Sequence, residues 1–388
     1  MTNVRTHGEK AEQPRCARPA QACHKSVAIL GIGVWLPPTV RTNEWWPRGV
    51  VQSWREHYRA QSAERRAQAG PAPELSRGQA RVAAAIAGLE EDPFHGSRER
   101  RVLDDHVAPS EMEVHACQGA LAKAGIPPQS IDFLLGFGTV PDHLGVPNVC
   151  TVHRQLGLPE RCLSLTTEAS FNAFSVQMEL AASLVRSGRY RYGLLYQSSA
   201  LTRLIAMDAH YAPWFGDGAT AVVVGPAAQG FGLLASEHCT DGSLAEAMVA
   251  GIPGRRWHEG GRIWWYPRDR DAARALFLNV ADRAAQVVHA AMSAAGVTAG
   301  QVDFYAAHQP TVWFRQVTQK HLGLTRARSL DTFAWTGSLG PANVPFVLAT
   351  ACDEGLLRDG DLVVTHSGGL GVTWSSQVLR WRCSGMRA

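Results

Sequence analysis

The chain has 388 residues, 45% apolar and 19% charged, a balance that fills a core and excludes a wholly disordered protein. Its net charge is +4, of which residues 1–25 carry +3 (five Lys/Arg against two acids), so the body is near neutral and lacks the basic face of a nucleic-acid binder. No run of about 18 apolar residues predicts a membrane span, and the charged N-terminus has no apolar stretch of secretory type.

Residues 1–25 are predicted to be a disordered tail, and 27–34 a buried strand ending at Pro37-Pro38. The Arg-, Ala- and Trp-rich stretch 45–90 contains two predicted helices, 55–66 and 76–89. Ser110 caps a predicted helix that runs to Ala124 and stops at Gly125. A strand over 131–137, a helix over 148–156 and a short strand over 162–166 follow. In the next helix, 170–186, Phe171, Phe174, Met178, Ala181 and Val185 share one face. Strands are predicted at 193–197 and 218–225, then a Gly/Trp-rich stretch at 251–266 whose tryptophans line a tunnel or pack on the surface. One long helix over 270–295, a strand over 302–306, helices over 311–322 and 343–356, and strands over 362–365 and 374–381 complete the chain. Alternation of this kind predicts α/β architecture with a mostly parallel sheet.

The chain repeats itself. Gly125 and Gly296 each end a helix, Asp132 and Asp303 each sit early in the following strand, and both pairs are 171 apart. Gly188 and Gly360 are 172 apart. This predicts two similar halves, 26–226 (with an insertion at 45–90) and 227–388, and a site where they meet. Eight cysteines without CxxC pairing predict a reduced, cytoplasmic chain with no metal site.

Four places are candidates for chemistry. His308 directly follows a strand, where the C-terminal edge of a sheet gathers functional groups. Ser170 opens a helix, either as a nucleophile helped by the helix N-terminus or as an ordinary N-cap. Phe215-Gly216-Asp217-Gly218-Ala219 reads as a structural turn. The run from Ser367 through Gly369, Leu370 and Gly371 to Trp374 is a Gly-rich loop able to offer backbone N–H groups to an oxyanion.

Taken in order, several pieces resemble the ketoacyl-synthase III group of the thiolase superfamily over about residues 26–382. They are Gly31-Ile32-Gly33, Gly96-Ser97-Arg98-Glu99-Arg100-Arg101, the Gly-Asp-Gly turn, Ala307-His308-Gln309-Pro310, and Gly369-Leu370-Gly371-Val372-Thr373-Trp374. The resemblance implies a thiolase-like fold of two repeated α/β halves in a five-layered α-β-α-β-α arrangement, usually a homodimer. It implies a Cys-His-Asn site that takes an acyl group from coenzyme A or an acyl carrier protein, with no further cofactor.

This chain departs from that pattern. Counting back without a gap from Ser187-Gly188 places Phe171 in the cysteine slot; one inserted residue places Ser170 there. His308 matches the histidine, Ser338 stands where the asparagine is expected, and Asn343 lies five positions later. Asp92-Pro93-Phe94-His95 stands where a coenzyme-clamping Trp and Arg are expected. The resemblance thus implies Ser170, His308 and Ser338 as catalytic residues and the N–H groups of Ser170 and Leu370 as oxyanion donors. Phe171, Phe215, Asn343 and Gly369 become substrate contacts. The leading expectation is an acyltransferase of specialised-metabolite, polyketide-type or antibiotic biosynthesis, moving an acyl group from a CoA or carrier-protein thioester to a small-molecule acceptor. The alternatives are a starter-unit 3-oxoacyl synthase with serine for cysteine, and a catalytically silent partner of an active homologue. The tryptophans and arginines of 45–90 are either an exposed docking surface for an acidic carrier protein or a helical flap.

Overall fold

A computed structural model of the chain describes residues 26–67, 74–370 and 372–382. The tail expected at 1–25, and Gly371, lie outside these residues.

The first half carries strands β1 (Ser26–Trp35), β2 (Val40–Thr42), β3 (Glu99–Arg101), β4 (Phe133–Gly138), β5 (Leu163–Thr166), β6 (Gly193–Ser199) and β7 (Gly218–Ala227). Its helices are α1 (Arg48–Ala67), α2 (Arg77–Ala87), α3 (Pro109–Ala124), α4 (Asn148–Leu156) and α5 (Ala173–Arg186). The second half carries β8 (Gly232–Thr240), β9 (Val249–Gly251), β10 (Trp264–Tyr266), β11 (Phe304–Ala307), β12 (Leu362–Gly369) and β13 (Thr373–Arg380). Its helices are α6 (Arg270–Leu278), α7 (Val280–Ala294), α8 (Phe314–Leu322), α9 (Phe333–Thr336) and α10 (Asn343–Asp353).

Two main sheets result, in the orders β1-β7-β6-β4-β5 and β8-β13-β12-β11. The orders correspond strand for strand, and a parallel bridge from Phe304 to Arg328 takes the place that β5 holds beside Phe133 of β4. Between the sheets lie α5 and α10, whose Phe174, Met178, Val344 and Val347 pack with Ile32, Leu135 and Val222 on one side and Phe304 and Val363 on the other. Outside, α3 and α4 cover the first sheet and α7 and α8 the second. Five layers follow because each sheet is apolar on both faces and must be covered twice. The fit is close: a Cβ on Gly33 of β1 would lie 1.9 Å from the Ala116 carbonyl oxygen of α3.

Several sequence expectations change. The sheets are mixed rather than mostly parallel: β7 runs antiparallel to β1 and β6, and β13 antiparallel to β12 and β8. β8 was not expected; its half-exposed Ser236-Glu237-His238-Cys239-Thr240 end reads as polar loop until it pairs with β13. The helix expected over 270–295 breaks at Asn279, whose side-chain amide donates back to the Ala275 carbonyl at 2.8 Å. α3 starts before Ser110, with Ala108 at the cap and the Glu111 carboxylate accepting its N–H at 2.8 Å. At its other end Gly125 does stop the helix, at φ 64°.

The insertion is docked. Trp46 and Trp54 are buried and donate their indole N–H groups to the carbonyls of Met207 (3.0 Å) and Asp208 (2.6 Å), while the Tyr58 hydroxyl donates to that of His210 (3.1 Å). Of the two alternatives for 45–90, the buried Trp46 and Trp54 fit the flap; of the three tryptophans there only Trp45 is exposed, with the Arg41 guanidinium stacked over it at 3.7 Å. Apolar rings beside unpaired carbonyls favour this docking, because each buried carbonyl needs a donor.

Candidate active site

His308 stands at the C-terminal end of β11, where its N–H donates to the His366 carbonyl at 2.8 Å and seats the residue firmly. The side chain is buried. Burial, followed by neighbouring His366, holds the imidazole down to about 3, against an opposing pull from the Asn343 amide. Asn343, the first residue of α10, accepts the Gln309 N–H at 3.1 Å. Its Nδ2 and His308 Nδ1 are both buried and neither makes a hydrogen bond of good geometry. At neutral pH His308 is therefore an uncharged base with spare hydrogen-bonding capacity.

The Ser170 backbone lies at φ 51°, a left-handed conformation that costs a side-chain-bearing residue on the order of 1 kcal/mol. It opens a single 3-10 turn ahead of α5, and Asn172, not Ser170, occupies the helix cap. Its N–H is already donated to the Glu168 carboxylate at 3.1 Å. This corrects the expectation that the Ser170 N–H is a free oxyanion donor: a nearer carboxylate has taken it. Phe171 projects instead toward the histidine, with ring centres 5.6 Å apart.

The two halves meet at this turn. A Cβ on Gly369, at the end of β12, would lie 2.5 Å from the Ala169 carbonyl oxygen and 3.1 Å from the Asn172 nitrogen, so only glycine lets the Gly-rich loop approach. The Asn172 side chain ties the contact by donating to Ser375 Oγ (2.7 Å) and accepting from Ser367 Oγ (2.5 Å).

Phe171, Phe215, His308, Gly369 and Leu370 all line one cavity of about 870 Å³. Ser170, Ser338 and Asn343 do not line it. Ser338 is fully buried with its N–H on the Trp214 carbonyl (2.7 Å) and its Oγ accepting the Gly340 N–H (3.4 Å), folded back on its own turn. Asn343 is likewise buried and outside the cavity wall. Asp217 is the strut expected of its turn: its carboxylate accepts the N–H groups of Leu103 (2.9 Å) and Thr202 (3.2 Å). None of the described cysteines lines the cavity.

The sequence reading missed part of the wall. His57 and Tyr58 of α1, His95, His210 and Trp214 line the same space. Of the tryptophans expected to line a tunnel or pack on the surface, Trp265 lines the cavity and Trp257 is solvent-exposed. No spacing signal joins these residues, because they come from four separate segments.

The fold that gathers the histidine, the Gly-rich loop and the helix-start turn is thiolase-like. Solved structures of that fold cover the chain almost entirely. 3-Oxoacyl-(acyl carrier protein) synthase III from Pseudomonas aeruginosa PAO1 matches with a TM-score of 0.73 and 21% identity over 92% of this chain and 99% of that one. OleA of Xanthomonas campestris, in a cysteine-to-serine form with bound lauric acid and lauroyl-CoA, matches with a TM-score of 0.71 and 18% identity over 92% and 100%. Residues 167–242 match the family profile of 3-oxoacyl-[acyl-carrier-protein] synthase III and residues 292–381 that of its C-terminal part. The β-ketoacyl-[acyl-carrier-protein] synthase III 1 of Bacillus cereus is 27% identical over 74% of this chain and 87% of its own length. The corresponding synthase III of Oceanobacillus iheyensis is 27% identical over 74% and 88%.

Proposed function

We propose that this protein is an acyltransferase that moves an acyl group from a coenzyme A or acyl-carrier-protein thioester to a small-molecule acceptor, with His308 as general base. The observation that carries this reading is the buried His308 in the wall of a large, mainly apolar cavity, where burial disfavours the charged imidazolium. An acceptor hydroxyl or amine gives its proton to the imidazole as its oxygen or nitrogen attacks the thioester carbonyl. The new C–O or C–N bond forms, the C–S bond breaks, and the departing thiolate takes the proton from the imidazolium. The Gly369-Leu370 backbone borders the place where the oxyanion develops.

Transfer to an acceptor is favoured over decarboxylative condensation because Ser338 is fully buried and is not part of the cavity wall. Condensation needs a second donor on the enolate oxygen, and loss of one such donor costs about 10²–10³ in rate. Direct transfer is the simpler route, since Phe171 faces His308 and Ser170 lies outside the cavity wall. A second route, through an acyl-serine at Ser170, is favoured by one observation: the left-handed backbone there, since strained residues cluster at functional sites. The cavity walled partly by the α1 insertion suits tailoring of a specialised, polyketide-type metabolite. The exposed Leu163 and Leu165 on the unpaired edge strand β5 support a homodimer. A cytoplasmic site of action belongs to the same proposal, supported by cysteines that lie without CxxC pairing. Among the described residues no helix is long and apolar enough to cross a membrane.

Intact-mass analysis and product assays after incubation with a panel of acyl thioesters and acceptors test the proposal. Acyl transfer that His308→Ala abolishes supports it. An adduct lost in Ser170→Ala selects the acyl-serine route, and turnover without an adduct selects direct transfer. Carbon dioxide release from a malonyl thioester with a new carbon–carbon bond overturns the transfer reading. Failure to consume any thioester points to the silent-partner alternative.

A further inference from the structure

The cavity has a second polar pole. His57 of α1, His95 of the loop before β3, and His210 line it together with Tyr58 and Trp214. The His57 and His210 rings stack with centres 4.4 Å apart; Tyr58 meets His95 at 4.4 Å, and His95 meets Trp214 at 5.0 Å. The ring contacts of His308 are with Phe171 and Phe314, so this is a separate cluster.

Three features mark it as built to bind. His95 is held left-handed at φ 48°, fixed by the Asp92 carboxylate, which accepts the N–H groups of Phe94 (2.9 Å) and Gly96 (2.7 Å). Its Nε2 is buried without a hydrogen-bond partner, a loss of about 1–3 kcal/mol that a ligand would recover. His57 Nε2 accepts from the Gln61 side-chain amide at 2.9 Å, which places the His57 proton on Nδ1.

The cluster is also uncharged. Burial pushes His95 down to about 4, and burial with His57, His95 and Arg270 pushes His210 down to about 3. The stacked faces do not converge on one point, and among the described residues no group of His, Cys, Asp or Glu is arranged to hold a metal ion. Arg270 and Arg274 lie in the same wall as Asp271 and Glu90, so the rim carries both signs. Neutral imidazoles offer one acceptor and one donor each, and the aromatic faces offer stacking. A hydroxyl-bearing ring matches both, whereas an anion that meets Arg270 or Arg274 there also meets Asp271 and Glu90.

We propose that the His57–His95–His210 cluster is the recognition subsite for the acceptor, and that it takes an uncharged ring carrying two or more hydroxyls, phenolic or sugar-like. The word acceptor rests on the acyl-transfer reading; the binding itself does not, and it is measured without any thioester. Calorimetric titration of the full chain with resorcinol, methyl glucopyranoside, fluorobenzene and benzoate tests it. One of the two hydroxylated rings is expected to bind and to identify the phenolic or sugar source, with fluorobenzene and benzoate at least tenfold weaker. His95→Phe and His210→Phe, which keep the ring and remove the nitrogens, are each expected to weaken that binding about fivefold to tenfold. Thermal melting of both variants confirms folding, and proton NMR of the imidazole C–H resonances gives a second readout in the parent protein. Binding of neither hydroxylated ring, fluorobenzene or benzoate binding as tight as the better hydroxylated ring, or binding untouched by both variants overturns the proposal.

Discussion

The ionisation of His308 makes the sharpest demand on the proposed mechanism. With the imidazole held down to about 3, His308 stays almost wholly unprotonated at pH 5. An ordinary histidine near 6.5 would be only about 3% unprotonated there, and a rate depending on it would fall about 30-fold between pH 8 and pH 5. The profile of kcat/KM, which reports the free enzyme, is therefore expected to be flat through this range. The same low basicity weakens proton abstraction, so His308→Ala is expected to cost about 10²-fold, the low end of the range for a general base. The assay is acyl transfer at pH 5 to 8, with circular dichroism at each pH to establish that the protein is folded. A break near pH 6.5 that vanishes in His308→Ala would refute the burial argument. A variant within twofold of the parent would refute the catalytic role itself.

Three further expectations come from the same geometry. Gly369→Ala drives a methyl group against the Ala169 carbonyl and the Asn172 nitrogen; the urea midpoint should fall by the equivalent of about 1–3 kcal/mol, and an unchanged midpoint would contradict the close approach of the two halves. Trp54→Phe leaves the Asp208 carbonyl without its indole donor; a loss of about 1–3 kcal/mol and faster proteolysis within α1 are expected, and equal protease resistance would show the docking to be weak. Stability should also fall with acid. Burial holds His308 at about 3 and His366 at about 4, below the unfolded value near 6.5, so the unfolded chain binds more protons between these limits. Stability is full above about pH 6.5 and declines as pH drops toward 4, each imidazole adding about 1.4 kcal/mol per pH unit to the slope; urea curves at pH 7, 6 and 5 showing no decline would exclude it.

Local chemistry was readable where one residue answers to its own backbone. Gly125 and Gly296, 171 apart, both stop helices at positive φ because only glycine takes that conformation freely. His308 was readable as the residue that leaves a buried strand, and Asp217 as a turn strut. Strand direction was harder: β7 and β13 read as buried strands either way, and only pairing decides that they run antiparallel. The Trp-rich insertion was legible as helix, yet whether its rings face solvent depends on the carbonyls of Met207 and Asp208, more than 150 residues away.

Apart from β8 and the break at Asn279, the order and type of the long elements, the internal repeat and the likeness to ketoacyl-synthase III were determined by the sequence itself. They follow from apolar periodicity, turn residues and short motifs, which are local properties of the chain. Which side chain faces His308 was decided by the tertiary structure. Counting along the helix left Phe171 and Ser170 both eligible, and the choice rests on one dihedral at Ser170 and on the Gly369 loop arriving from the other half. The second polar pole is of the same kind: His57, His95 and His210 become neighbours only when the insertion docks, and close packing then strips their water and keeps them uncharged.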